Sequence, residues 1–286
     1  GAINIDAEDP KDAPVIDGST TVSLFGANED SATGARSVSS FLGSSGLNYS
    51  DADSGALSGI AITGTTGMGE WQYSTDGETW KAIGSASGNA AVLLGSTNYV
   101  RYVGDGKNGE DGDNSGVPTL FVKGWDQTTG SASTNEKVNT ANTVPSGGTS
   151  AFSTATGQIT TATSDVNDAP VLSAASPTFT GITEDATTNG GQTVASILGT
   201  SVADVDTGAL EGIALYGLTS GTGTWQYSLN DGTSWTDVGD VSQDQALLLR
   251  ASDKVRFVPN GENGTTASIS YHAWDQTGGD SAGDKV

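Results

Sequence analysis

Acidic residues at short, repeated spacing are the part of this sequence best equipped for chemistry. Asp51-Ala52-Asp53-Ser54-Gly55 and Asp204-Val205-Asp206-Thr207-Gly208 each set two carboxylates two residues apart, with a glycine close behind. In a loop, that spacing lets both side chains turn toward one hard cation while the glycine permits a tight path. Calcium takes roughly six to eight oxygen ligands, so two carboxylates do not suffice alone. More acids recur in step: Glu29-Asp30 with Glu184-Asp185, Asp126 with Asp275, and Asp9 and Asp12 with Asp165 and Asp168. A lone D-x-D equally makes an Asx turn or a solvated loop. Four acidic elements kept in the same order favour several calcium ions over solvation. Magnesium, which demands a strict octahedron and retains its waters, fits less well.

The elements that must position these acids come as a repeat. Trp71-Gln72-Tyr73-Ser74 returns as Trp225-Gln226-Tyr227-Ser228, and Val100-Arg101-Tyr102-Val103 as Val255-Arg256-Phe257-Val258. Trp125-Asp126-Gln127-Thr128 returns as Trp274-Asp275-Gln276-Thr277. The chain therefore holds two copies of one domain, expected over residues 10–168 and 169–286. Each copy reads as β. Trp225, Tyr227 and Leu229 alternate with polar residues before an Asp231-Gly232 turn, and Ile269, Tyr271 and Ala273 alternate with Ser268, Ser270 and His272. The apolar run Ala246-Leu247-Leu248-Leu249 is a strand covered on both faces or is ambiguous. Many short strands between Gly- and Asn-rich turns predict an all-β chain of two tandem sandwiches. Trp71, Tyr73, Trp80 and Trp125 are expected in the cores.

Composition narrows the function classes. The 286 residues carry 11 Lys and Arg against 34 Asp and Glu, for a net charge of −23. Such a polyanion lacks the basic patches that bind nucleic acid and is poorly suited to anionic membranes. No apolar run reaches the length of a membrane span. There is no Cys, so disulfides cannot reinforce the modest cores; metal ions can. An enzyme is not expected. The single His, His272, sits in an alternating strand, and no acid pair is better explained by hydrolysis than by calcium. A glycan- or peptide-binding module of a surface adhesin is the alternative. Its binding residues would lie in the unshared loops 104–116 or 135–150.

Taken together, Glu-Asp, D-x-D-x-G-A-L, W-Q-Y-S, V-R-F-V-P, W-D-Q-T and V-N-D-A-P resemble the cadherin-like repeats of giant bacterial adhesins, including those of the RTX type. The resemblance implies immunoglobulin-like sandwiches, secretion to the bacterial surface, and calcium at domain junctions that stiffens a rod. It nominates Glu29, Asp126, Asp165, Asn167, Asp168, Asp204 and Asp206 for the central junction. The first linker departs from the pattern, with Pro10 and Lys11 where the second has Val166 and Asn167.

The termini are out of phase with the repeat. Setting Asp12-Ala13-Pro14 on Asp168-Ala169-Pro170 places Gly1 on Gly157 and Ile3 on Ile159. Residues 1–9 thus match the last strand of a preceding domain, and the second copy reaches Val286 without a last strand of its own. Three readings stay open. The chain is a fragment out of phase with the repeat, or another module is inserted, or residues 1–9 complete a neighbouring subunit head-to-tail, with Ile3 and Ile5 pointing into its core.

Overall fold

A computed structural model describes residues 10–112, 116–173 and 177–286. The chain is almost entirely β and divides into two compact units, one running through Val166 and the other from Asn167. Asp9, Ile3 and Ile5 lie outside the described residues.

In the first unit the main strands are β1 (Thr21–Ser23), β2 (Gly59–Thr66), β3 (Glu70–Ser74), β4 (Ala91–Gly95), β5 (Tyr99–Val103), β6 (Thr119–Trp125) and β7 (Gly157–Thr160). One sheet runs β1-β7-β6-β2-β4 and ends on Thr140–Ala141; a second places β5 and β3 between Arg36–Ser37 and Lys81–Ala82. Alternation explains how the sheets share a core. Trp71 and Tyr73 of β3 and Val100 and Tyr102 of β5 point inward to meet Ile60, Ile62, Leu120, Val122 and Ile159 of the other sheet. Between them, outward, Arg101 donates to Gln72 Oε1 at 2.7 and 2.9 Å and its guanidinium lies 4.2 Å from the centroid of the Trp80 ring. Trp80 is therefore not a core residue as expected. An arginine on the solvent face takes its π surface instead.

β4 is buried along its whole length because the β-sheet has a second covered face. There Ala61, Ala91, Leu93 and Trp125 pack against Ala151 and Phe152 from the long connection that follows β6. Gly59 is required at this contact. A Cβ there would meet Leu94 O at 2.6 Å and the Trp125 ring at 2.9 Å.

The second unit repeats the pattern with β8 (Gly212–Thr219), β9 (Thr224–Ser228), β10 (Leu247–Arg250), β11 (Lys254–Val258) and β12 (Ser268–Trp274). Its main sheets are β10-β8-β12 and, with two short flanking strands, β11-β9, and Val171–Leu172 pairs separately with Val202–Ala203. Even the irregularity is copied. β2 slips register against β6 between Ile62 and Gly64, and β8 against β12 between Leu215 and Gly217. The apolar run of β10 is covered on both faces. Leu247 and Leu249 face the core, while Leu248 lies under the chain end, donating its N–H to Asp284 O at 3.0 Å.

The units differ at one edge. In the first, β7 runs antiparallel to β6, and β1 runs parallel along its far side. In the second, the described residues place no strand on that side of β12, which pairs among them with β8. Residues 177–182, which correspond to residues 22–27 in β1 and just beyond it, form no strand. β1 makes its ladder with β7 alone, so without that neighbour the segment has nothing to pair with.

Candidate metal-binding clusters

The D-x-D loops fold identically in both units. The N–H of Asp53 donates to Asp51 Oδ1 at 2.9 Å, and that of Asp206 to Asp204 Oδ1 at 2.9 Å. These are the Asx turns that such spacing allows. The turn uses only one oxygen of the first aspartate, and Oδ2 of Asp51 and of Asp204 is buried without a hydrogen-bond partner.

The linker acids close over these loops. Asp12 N–H donates to Asp53 Oδ2 at 3.1 Å, and Asp168 N–H to Asp206 Oδ2 at 2.8 Å, leaving Asp206 Oδ1 buried and unpartnered. The aspartate after the Trp completes each group. Asp126 Oδ1 accepts from the N–H and hydroxyl of Thr128 at 2.8 and 2.6 Å, while Oδ2 is buried without a partner. Burial and the neighbouring charges of Asp51 and Asp126 push the Tyr49 phenol far above its ordinary range, and its hydroxyl donates to Trp125 O at 3.4 Å, beside Asp126. In the second unit Asp275 Oδ1 accepts from Thr277 at 3.0 and 2.8 Å, and Oδ2 from the Asn167 amide at 2.8 Å. Desolvation pushes the Asp275 carboxyl up, but that Asn167 bond and the two from Thr277 together hold it below its usual range. Lys11 stands where the second unit has Asn167 and lies 3.6 Å from Asp53 Oδ2. The first leading cluster thus already has a cation beside it.

A third cluster lies at the other end of the first unit. Glu29 is 1% exposed; its Oε1 accepts from Val166 N–H at 2.6 Å, and Oε2 is buried without a partner. Burial raises the Glu29 carboxyl above its ordinary range, the Val166 bond opposes this, and the charges of Asp165 and Asp30 add to it. Asp165 Oδ1 accepts from Gly109 N–H at 2.9 Å, and Gly106 N–H donates to Glu29 O at 3.1 Å. The same loop carries Asp105, whose Oδ1 is buried and unpartnered. Asp105 has no acidic counterpart in the second copy, where Asn260 stands, so matching acids between the copies does not reveal it. Asn is an oxygen ligand too, so a search for oxygen donors rather than acids would have found it.

The grouping differs from the nomination in one respect. Asp126 follows the C-terminal end of β6, whereas Glu29 lies beyond its N-terminal end, where Thr119 pairs with Thr160 of β7. A seven-residue strand separates them by about 20 Å. Asp126 therefore joins Asp51 and not Glu29. Asp165 belongs with Glu29, and Asn167 and Asp168 belong with Asp204, Asp206 and Asp275. Glu184 and Asp185 are exposed, unlike Glu29. The first unit holds Glu29 through the segment after β7, and no such segment is described in the second.

The loop bearing Asp105 is anchored by Glu110, 1% exposed. Its carboxylate accepts from Met68 N–H at 2.5 Å and from the Tyr102 hydroxyl, and its own N–H donates to Thr163. Glu110→Ala leaves buried donors unsatisfied and lowers the stability of the first unit by about 2–4 kcal/mol. Urea unfolding of the variant checks this; a change within error of zero would remove Glu110 from the anchor.

Among the described residues no three His, Cys, Asp or Glu side chains converge tightly enough to hold a metal ion as they stand. The fit to calcium lies elsewhere. Among the described residues, the buried unpartnered oxygens of Glu29, Asp51, Asp105, Asp126, Asp204 and Asp206 are carboxylate oxygens, hard anionic donors of the kind calcium prefers. No helix among the described residues is long and apolar enough to cross a membrane. Comparison with protein-family models finds no match for the chain, and comparison with curated proteins finds none either.

Proposed function

We propose that the chain is a calcium-binding structural module of an extracellular bacterial fibre or adhesin, built from two tandem immunoglobulin-like sandwiches. The observation that carries this reading is the set of buried, unpartnered carboxylate oxygens on Glu29, Asp51, Asp105, Asp126, Asp204 and Asp206. Burying an ionised oxygen without a partner costs several kcal/mol, and a bound cation offsets that cost. Two of the three clusters occupy matching positions in the repeat, which supports a role in the shared scaffold. The leading clusters would draw on Asp12, Asp51, Asp53 and Asp126, and on Asn167, Asp168, Asp204, Asp206 and Asp275. The trailing cluster would draw on Glu29, Asp30, Asp105 and Asp165. Calcium would neutralise the carboxylates and fix the linker residues against the loops. Extracellular modules bind calcium at roughly 0.1–1 mM, which suits oxygen sets of this size on a secreted chain. Trp71, Tyr73, Trp125 and Trp225 are buried and are not available as a glycan platform.

Titration calorimetry tests the reading. Calcium is expected to bind saturably at more than one site, with the Lys11-bearing cluster the weakest. Asp204→Asn and Asp126→Asn each remove one site while leaving the fold intact by circular dichroism. A chain that takes up no calcium at about millimolar concentration ends the proposal.

A further inference from the structure

The second unit carries a groove of about 1020 Å³ beside β12, lined by Phe179, Trp225, Phe257, Ile269 and Tyr271 among others. The first unit shows what such a groove holds. At the equivalent place β7 pairs with β6, Ile159 is fully buried, and Leu120 and Val122 beside it are fully buried too. Their counterparts Ile269 and Tyr271 are only partly covered. The edge of β12 and the apolar wall behind it thus present main-chain groups and side-chain surface suited to one further antiparallel strand.

We propose that this groove accepts residues 1–9 of a second copy of this chain, an extension of the fibre reading that names the partner and the surface taking it. The assignment of the occupant rests on an internal template. Gly1-Ala2-Ile3-Asn4-Ile5-Asp6-Ala7-Glu8-Asp9 falls on Gly157-Gln158-Ile159-Thr160-Thr161-Ala162-Thr163-Ser164-Asp165, and both stretches lead into Asp-Ala-Pro after two further residues. In the template the inward positions are Ile159, Thr161 and Thr163, all buried. The donor offers Ile3, Ile5 and Ala7 there, a more apolar set. A one-residue slip would turn Ala2, Asn4 and Asp6 inward, so the register is strongly specified.

That register follows from the first unit. Gln158 pairs with Phe121 and Ile159 with Leu120. Trp125 and Trp274 hold the same position opposite Gly59 and Gly212. Ala2 therefore pairs with Ser270 and Ile3 with Ile269. The strand also gives residues 177–182 the neighbour that β1 has in β7. It sets Asp9 where Asp165 stands, facing Glu184 and Asp185, with Asn260 in the place of Asp105. Because donor and acceptor lie on different surfaces, the contact is heterologous and propagates head-to-tail.

The chain has no Cys, which makes the register directly testable. Ala2→Cys combined with Ser270→Cys, both outward positions, is expected to give on mild oxidation a ladder of disulfide-linked oligomers of the full chain. Asn4→Cys with Ser270→Cys, displaced by two residues, is expected to give little. Deleting residues 1–9 is expected to leave a folded monomer by sedimentation, whereas the intact chain gains mass with concentration. Monomer at every concentration, a disulfide closed within one chain, or polymers that survive the deletion would each overturn the proposal. Running both arms with calcium and with chelator separates the two readings. Cross-links without any calcium effect leave strand exchange standing and end the metal reading. A calcium-raised melting temperature without cross-links does the reverse.

Discussion

Calcium is expected to raise the melting temperature of this protein, and chelation to return it. The expected size follows from linkage. An ion that binds only the folded state stabilises it by about 2.7 kcal/mol at a hundredfold excess over its dissociation constant. For a unit of this size each kcal/mol moves the midpoint by about 2–4 °C, so one saturated site is worth about 5–10 °C. The effect has two sources here. Under the proposed function, buried oxygens of Glu29, Asp105, Asp126 and Asp204 would gain a partner, and the net charge of −23 would be reduced. Added monovalent salt screens only the second. Scanning calorimetry in calcium and in chelator at matched high salt therefore isolates the site contribution. The second unit should respond more strongly at its leading cluster than the first, because Asn167 stands there in place of Lys11. Superimposable melts in calcium and chelator at high salt would show that the clusters hold no structural ion.

Trp125→Ala is expected to destabilise the first unit by about 4 kcal/mol, and Trp274→Ala the second by about half of that. Trp125 is fully buried, packs with Leu93, Ala151 and Phe152, and donates its indole N–H to Thr129 O at 2.8 Å. Truncation leaves a cavity under Gly59 and strips the main contact holding the long connection onto the β-sheet. Trp274 stacks on Gly212 in the same way but is only partly covered, so less apolar surface is returned to water. Urea denaturation of the two variants compares the costs directly. Equal losses would mean that the covering connection adds nothing to the Trp125 site.

The Trp125 comparison shows why parts of this protein can be read from sequence and parts cannot. Alternation determined the strands, because a period of two commits every second side chain to one face: Trp71 and Tyr73 inward, Gln72 outward. Two copies of each motif determined the repeat. The D-x-D spacing determined the Asx turns, a local matter of one side chain and the N–H two residues on.

Other assignments depended on chain paths that meet across many residues. Trp80 has the composition of a core residue, yet Arg101, on another strand, draws it to the outer face. The resemblance groups Asp126 with Glu29, and only the direction of β6 sends them to opposite ends. Asp105 became visible through its buried oxygen, not its neighbours in sequence. The acids themselves were plain in the sequence. Which of their oxygens lie buried and unpartnered, and so offer themselves to calcium, was decided by tertiary packing, because desolvation depends on everything that surrounds an atom and not on spacing along the chain.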